Sequence, residues 1–122
     1  MNRKEVSDDS GIIIAESLCR TRFLECIELS GNKMKVRAIT ALGKMLGKNR
    51  WLKKLDLEFN DLTDGNRDCS GIKVLADYLK KNITLISLNL NSCGLNEECS
   101  SMLANMMKYN DTLINLDVEG NP

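Results

Sequence analysis

Four times along the chain the same nine-residue spacing returns: Leu24 to Asn32 (LECIELSGN), Leu52 to Asn60 (LKKLDLEFN), Leu85 to Cys93 (LISLNLNSC) and Leu113 to Asn121 (LINLDVEGN). Successive ninth positions stand 28, 33 and 28 residues apart. Self-similarity at such a period is the signature of a solenoid, because one coil cannot bury its apolar face alone and must stack on its neighbours. About four coils are present, above the roughly three that stability requires.

In an extended segment alternate side chains face opposite ways, so the fourth and sixth positions share a side. Those positions hold Ile27 and Leu29, Leu55 and Leu57, Leu88 and Leu90, Leu116 and Val118. The opening residues Leu24, Leu52, Leu85 and Leu113 join them inside each coil. At the ninth position the chain turns out of the strand and leaves backbone groups without ladder partners. An Asn side chain can satisfy both donors and acceptors there. Asn32, Asn60, Cys93 and Asn121 therefore read as a structural ladder, in which Cys93 is the weak member. Emptying such a site costs roughly 1 to 3 kcal/mol for each buried group left unsatisfied.

Between the segments lie helical patterns. Aligned backwards from each following Leu, they place Ile14, Leu42, Leu75 and Leu103 in one column and the small residues Ala15, Gly43, Ala76 and Ala104 in the next. Leu18, Leu46, Leu79 and Met107 come four residues after the first column. These spacings put all three columns on one helical face. The small column is expected to let each helix lie close against the sheet. Asn49, Asn82 and Asn110 fall at the helix ends, where Asn accepts a left-handed backbone. The repeat accounts for Asn82 and Asn110 better than the glycosylation sequons NIT and NDT that they also match.

Residues 1–122 read as a single domain, with a partial first repeat over 1–23, full repeats over 24–51, 52–84 and 85–112, and a last strand segment over 113–122. Ser10 to Arg22 is expected to be the first helix, with Asp8, Asp9 and Ser10 as capping candidates. Val6 falls in the column of Met34, Leu62 and Leu95, which puts Met1 at the end of a strand that is mostly missing. Solenoid ends normally carry atypical capping repeats. None is visible, so the expectation is a segment of a longer array, with self-association through uncapped ends as its corollary. The second linker is five residues longer than its neighbours, and the excess falls in Thr63 to Gly71 (TDGNRDCSG), an expected exposed loop on the rim.

Charge and cysteine usage narrow the function classes. With 17 basic and 17 acidic residues the net charge is +0, which argues against a nucleic-acid or anionic-membrane binder. No apolar run approaches the roughly 18 residues of a membrane span. The opening MNRKEVSDDSG is too polar for a signal peptide. Five cysteines without a CxxC pair, in a chain with no histidine, read as reduced thiols in a cytoplasmic compartment, with no metal and no cofactor. Cys93 and Cys99 read as small core residues. Asp64 and Asp68 lack the spacing of a calcium loop. Without histidine, nucleophile elbow or phosphate loop, the chain does not read as an enzyme.

What remains is the open face of the strands. Position five holds Glu28, Asp56, Asn89 and Asp117, and position seven holds Ser30, Glu58, Asn91 and Glu119. Stacked strands lie about 4.8 Å apart, so these should form two adjacent columns rich in carboxylate. Cys26, Lys54, Ser87 and Asn115 at position three flank them. Like charges on neighbouring strands repel, which points to use of the stripe by a basic segment of a partner protein. Phe59, beside Glu58, is a candidate anchor on the rim. Trp51 precedes Leu52 where two other repeats have Thr84 and Thr112, and it reads as a coil-packing residue.

The starts NDLTDG (Asn60 to Gly65), the helix cores VLADYL (Val74 to Leu79) and MLANMM (Met102 to Met107), and the returns NITL (Asn82 to Leu85) and NDTL (Asn110 to Leu113) resemble the ribonuclease-inhibitor-like class of leucine-rich repeats. The resemblance covers roughly residues 10 to 121. It implies an α/β leucine-rich repeat solenoid, a right-handed coil with parallel strands on the concave face and helices on the convex face. The class includes ribonuclease inhibitor, the GTPase-activating protein of Ran, the sensing domains of NOD-like receptors, and tropomodulin. Leu103 to Asn121 looks most like the repeats of tropomodulin and related cytoskeletal or ciliary proteins.

The expected function is a non-enzymatic protein-interaction module. Its candidate contacts are Glu28, Asp56, Glu58, Phe59, Asn89, Asn91, Asp117 and Glu119 on the concave face, or the 63–71 rim loop. The resemblance also implies an alternative, regulation of a GTPase or another enzyme, or of the cytoskeleton in the manner of tropomodulin. None of the GTPase-activating family's functional residues can be placed on a position of this sequence.

Overall fold

Residues 6–121 are described by the computed structural model. Within them helices and short strands alternate: α1 (Asp8–Leu18), β1 (Cys26–Glu28), α2 (Val36–Leu46), β2 (Lys54–Asp56), α3 (Ser70–Leu79), β3 (Ser87–Asn89), α4 (Glu97–Met107) and β4 (Asn115–Asp117). The strands pair in parallel in the order β1-β2-β3-β4. Parallel neighbours require a crossover connection, and α2, α3 and α4 each supply one. Ile27, Leu55, Leu88 and Leu116 are register partners, as equivalent positions of a solenoid must be. The place expected for Met1 lies outside the described residues.

Burial follows the columns. Leu55, Leu57, Leu88 and Leu90 are buried, and so are Leu42, Leu75 and Leu103 from the helices. Val6, Met34, Leu62 and Leu95 are all buried in a further column, as their alignment requires. Leu24 and Val118, expected to face inwards, are instead exposed, because among the described residues each has a neighbouring coil on one side only.

The ninth-position ladder is built as its chemistry demands. The Asn60 amide nitrogen donates to the carbonyls of Leu29 and Leu57, both at 2.9 Å, while its oxygen accepts the Met34 N–H at 3.2 Å. Asn121 repeats the arrangement, donating to Leu90 and Val118 and accepting from Cys93 and Leu95. Cys93 reproduces half of it. Its thiol donates to the Leu57 carbonyl at 3.1 Å, but sulfur is a weak acceptor, and the Leu62 N–H turns to the backbone oxygens of Asn60 and Cys93 instead.

A second asparagine ladder runs along the opposite turn. Asn49, Asn82 and Asn110 are buried, and none of them has the left-handed backbone expected from their place at the helix ends. The reason is a different use of the side chain. Asn82 donates to the Leu46 carbonyl of the preceding coil at 2.8 Å and accepts the N–H groups of Thr84 and Leu85 at 3.0 and 2.7 Å. Asn49 and Asn110 do the same with the carbonyls of Leu18 and Leu79. Each Asn thus welds two coils where helix returns to strand, and its amide is committed inside the fold.

Helix starts also draw on neighbouring coils. α1 begins at Asp8 rather than Ser10, with the Ser7 side chain accepting the Ser10 N–H. Asp8 caps another helix: its carboxylate accepts the N–H groups of Lys35 and Ala38 at 2.9 and 2.7 Å. That matters because α2 has no capping side chain of its own. The small column works between helices rather than between helix and sheet. A Cβ on Gly43 would lie 2.9 Å from the Cα of Leu75 on α3. Ala15 and Ala76 are buried, whereas Ala104 is exposed because, among the described residues, no helix packs on that side of α4.

The insertion carries Cys69 onto Cys99. Their Cα atoms stand 5.7 Å apart, and the pair is disulfide-bonded, so the expectation of five separate reduced thiols is corrected for these two. The pairing arises from the extra residues of one coil, which no spacing rule relates to the first turn of α4. Cys99 is nevertheless fully buried, as its place in the repeat requires.

Candidate protein-docking surface

The pairing register places Glu28, Asp56, Asn89 and Asp117 in one column across the four strands. Cys26, Lys54, Ser87 and Asn115 form the parallel column beside it. A shallow depression of about 190 Å³ opens between them, lined by residues that include Glu28, Lys54, Asp56 and Asp117. Cys26, Ser87 and Asn89 also line it, with Ile27 and Leu55 between the polar columns.

Some of these side chains hold backbone as well as face solvent. The Asp56 carboxylate accepts the N–H of Glu58 at 3.0 Å, and the Asn89 oxygen accepts that of Asn91 at 2.9 Å. A short polar side chain that bonds the backbone two residues on is a common device where a strand turns away. Across the strands the Asn89 amide donates to the Glu58 carboxylate at 2.8 Å, and the Asn91 oxygen accepts the Glu119 N–H at 2.6 Å. Asp56, Glu58, Asn89 and Asn91 are therefore oriented before any partner arrives, while Asp117 and Glu119 are more open.

Position eight is left-handed in every coil: Gly31 at φ 70°, Phe59 at 60°, Ser92 at 54° and Gly120 at 70°. Two coils use glycine, for which that conformation is free of strain. Phe59 does not fit that pattern, and its ring is 52% exposed. This constraint was readable in the glycines of LECIELSGN and LINLDVEGN, yet the sequence pattern by itself does not show that Phe59 shares it. The rim loop next to it is well tied. The Asp61 carboxylate accepts the Gly65 N–H, the Thr63 hydroxyl donates to the Gly94 carbonyl, and the Asn96 amide donates to the Asn66 carbonyl at 3.0 Å. Asp68 accepts from Ser70, whose side chain and N–H hold its carboxyl below the usual range.

Trp51 packs on Phe23 of the preceding coil with ring centroids 4.6 Å apart, in keeping with a coil-packing role. Among the described residues no group of histidine, cysteine or carboxylate side chains is placed to hold a metal ion. No described helix is long and apolar enough to cross a membrane.

Cys93 reports on the integrity of the site from below. Burial pushes its thiol up to about 12, against 9.0 ordinarily, with Asp56 and Glu58 adding to the rise. The unfolded chain ionises this thiol near pH 9 and the folded chain resists, so stability present below pH 9 is lost as pH rises towards 12. At a pH of about 8.5 iodoacetamide is expected to modify the exposed Cys26 and to leave Cys93 intact until the chain unfolds, as peptide mass mapping would show.

The family described as Leucine Rich repeat matches residues 48–65. Human NACHT, LRR and PYD domains-containing protein 13 is 30% identical over 122 residues, which are 99% of this chain and 11% of that protein. The chain thus spans about a tenth of the length of such relatives. Among solved structures, that of Leiomodin-1 Actin-Binding Site 2 superposes with a TM-score of 0.80 at 21% identity, covering 94% of this chain and 68% of that one. The Caenorhabditis elegans tropomodulin C-terminal domain gives 0.82 at 15% identity, with coverages of 97% and 70%. Identities this low speak for the fold. From the stacked parallel strands, the helical crossovers, the ninth-position ladder and these likenesses together, the chain belongs to the leucine-rich repeat proteins.

Proposed function

We propose that the chain is a non-enzymatic docking module whose concave face receives a basic segment of a partner protein. The observation that carries this reading is Phe59. A bulky side chain held left-handed costs about 1 to 2 kcal/mol, and a half-exposed ring recovers little of that by burial. Its position at the rim, next to Glu58 and the carboxylate column, gives a basic segment an aromatic anchor beside its counter-charges. The leiomodin neighbour is by name an actin-binding site, which makes actin one partner to test. The 63–71 loop lies on the same rim and would extend the contact.

Two variants separate fold from binding. Phe59→Gly is expected to raise stability by about 1 kcal/mol and to weaken a fluorescent lysine- and arginine-rich peptide about tenfold in an anisotropy titration. Asp117→Lys with Glu119→Lys should weaken it similarly and flatten its salt dependence. These two are chosen over Asp56 and Glu58 because, among the described residues, their carboxylates hold no backbone or neighbouring amide. Unchanged affinity in both variants would reduce the acidic column to bystander surface. Stimulated GTP hydrolysis by a small GTPase, in place of simple binding, would favour the regulatory alternative.

A further inference from the structure

A net charge of zero hides a division of sign. The strand segments carry Glu25, Glu28, Asp56, Glu58, Asp117 and Glu119 against only Lys53 and Lys54, so the helices and their loops hold the compensating cations. Those cations gather where α1 and α2 end. A cleft of about 390 Å³ between the two following loops is lined by Arg20, Arg22, Lys48, Arg50 and Trp51. Among the described residues no carboxylate lies within ion-pair distance of these four cations.

The cleft shares Cys19 and Lys48 with a groove of about 610 Å³ that lies along α1 and α2 and reaches Ser70 at the start of α3. Ile12, Glu16 and Cys19 line one wall, and Arg37, Ala41, Lys44 and Lys48 line the other. Spacings of three and four residues put each set on a single helical face. Ile12, Cys19, Val36 and Ala41 make the groove largely apolar, Glu16 is its one acid, and Arg37 is engaged by Asp9 at 2.9 Å. Lys44 and Lys48 are exposed.

The groove is particular to this helix pair. α1 and α2 touch near their N-terminal ends, where a Cβ on Gly11 would lie 2.8 Å from the Ala38 Cβ, and the groove runs on to the basic end. α2 and α3 are clamped together at Gly43, Gly47 and Gly71. Between α3 and α4 the cleft is about 190 Å³, and Asp77 stands there beside Lys73 and Lys80. Cations near helix C-termini are favourable to the dipole, which accounts for single residues such as Arg20 and Lys48. It does not account for an apolar groove leading to them.

We propose that the α1/α2 groove and the basic cleft at its end form a docking site for an acidic amphipathic helix of a partner protein. The apolar stripe of such a helix lies along Ile12, Val36 and Ala41, and its carboxylates meet Lys44, Lys48, Arg20 and Arg22, the helix-in-groove mode of recognition. α1 and α2 are 11 residues each, or about 16 Å long, so a partner helix of about three turns fills the groove. Nucleic acid has no use for the apolar floor, and Trp51 is already stacked on Phe23, which leaves it a poor platform for bases. A membrane would need protruding apolar groups rather than a recess between helices.

The experiment titrates the chain with a labelled peptide of about 14 residues, bearing leucines at helical spacing and glutamates elsewhere. A scrambled peptide of the same composition, oligothymidylate and phosphatidylserine vesicles are the comparisons. Saturable binding of the patterned peptide is expected, with the scrambled one about tenfold weaker. Lys44→Glu with Lys48→Glu should weaken the patterned peptide at least about tenfold, and Ile12→Ser several-fold, with circular dichroism unchanged. Asp117→Lys with Glu119→Lys should leave it unaffected, which separates this site from the concave face. Absence of saturable binding, equal affinity for both peptides, or indifference to the lysine reversals would overturn the proposal. So would tighter binding of the oligonucleotide or the vesicles with displacement of the peptide.

Discussion

Asn60→Ala is expected to cost about 2 to 3 kcal/mol and to lower the melting temperature by roughly 10 °C. The Asn60 side chain is 1% exposed and satisfies two carbonyls and one N–H from two coils. Alanine orphans the Met34 N–H and leaves the Leu29 carbonyl to the Asn32 amide and the Leu57 carbonyl to the weak Cys93 thiol, in a space too closed for water to serve them well. The other ladder offers a sharper comparison. Asn60 donates to two well-placed carbonyls and accepts one N–H, whereas Asn82 donates once and accepts two N–H groups and a long bond from the Thr84 hydroxyl. Replacing the amide by a carboxylate turns every donated bond into a repulsion between acceptors. Asn60→Asp should therefore be more damaging than Asn82→Asp at neutral pH, although both positions are buried. Thermal and urea unfolding of these variants decides it, and equal losses for the two aspartates would show that the ladder geometry is wrong.

Gly43→Leu is the second large effect, with an expected loss of about 3 kcal/mol. The added Cβ alone would sit 2.9 Å from the Leu75 Cα and 3.0 Å from its nitrogen. These are backbone atoms of α3 that cannot rotate away, so α2 and α3 must separate along their contact. Ala104→Leu is the matched control. Ala104 occupies the same column on α4 but is exposed, and the change there should stay within about 0.5 kcal/mol. Similar melting temperatures for the two variants would contradict the helix–helix role assigned to the small column.

Much of the architecture was legible because a repeat states each constraint several times. The columns of Leu55, Leu88 and their equivalents predicted strand register, and the alignment of Val6 with Met34, Leu62 and Leu95 predicted its burial. The composition of the strand face was equally readable, since alternation assigns every residue of an extended segment to one side. Less legible were features set by one coil acting on the next. Asn49, Asn82 and Asn110 were visible as a column, but a column does not say whether its members bend the backbone or reach across to a neighbouring carbonyl. Asp8 was a plausible cap for its own helix and became the cap of α2.

The candidate surfaces divide along the same line. The carboxylate column followed from spacing alone. The strain at Phe59 did not, because only the shared backbone of Gly31, Ser92 and Gly120 shows what conformation that position takes. The pairing of Cys69 with Cys99 depended on the path of an insertion that the repeat does not describe.

By itself, then, the sequence determined the period, the inward columns, the parallel stacking and the acidity of the strand face, since these depend on local alternation repeated without change. The tertiary structure decided how charge is shared out around a molecule whose total is zero, which helices stand apart and which are clamped, and where asparagine, aspartate and cysteine side chains find partners in another coil. The physical reason is distance. Alternation and helical period act over a few residues, whereas a groove, a ladder bond or a capping bond joins groups about one repeat apart that only the packed solenoid brings together.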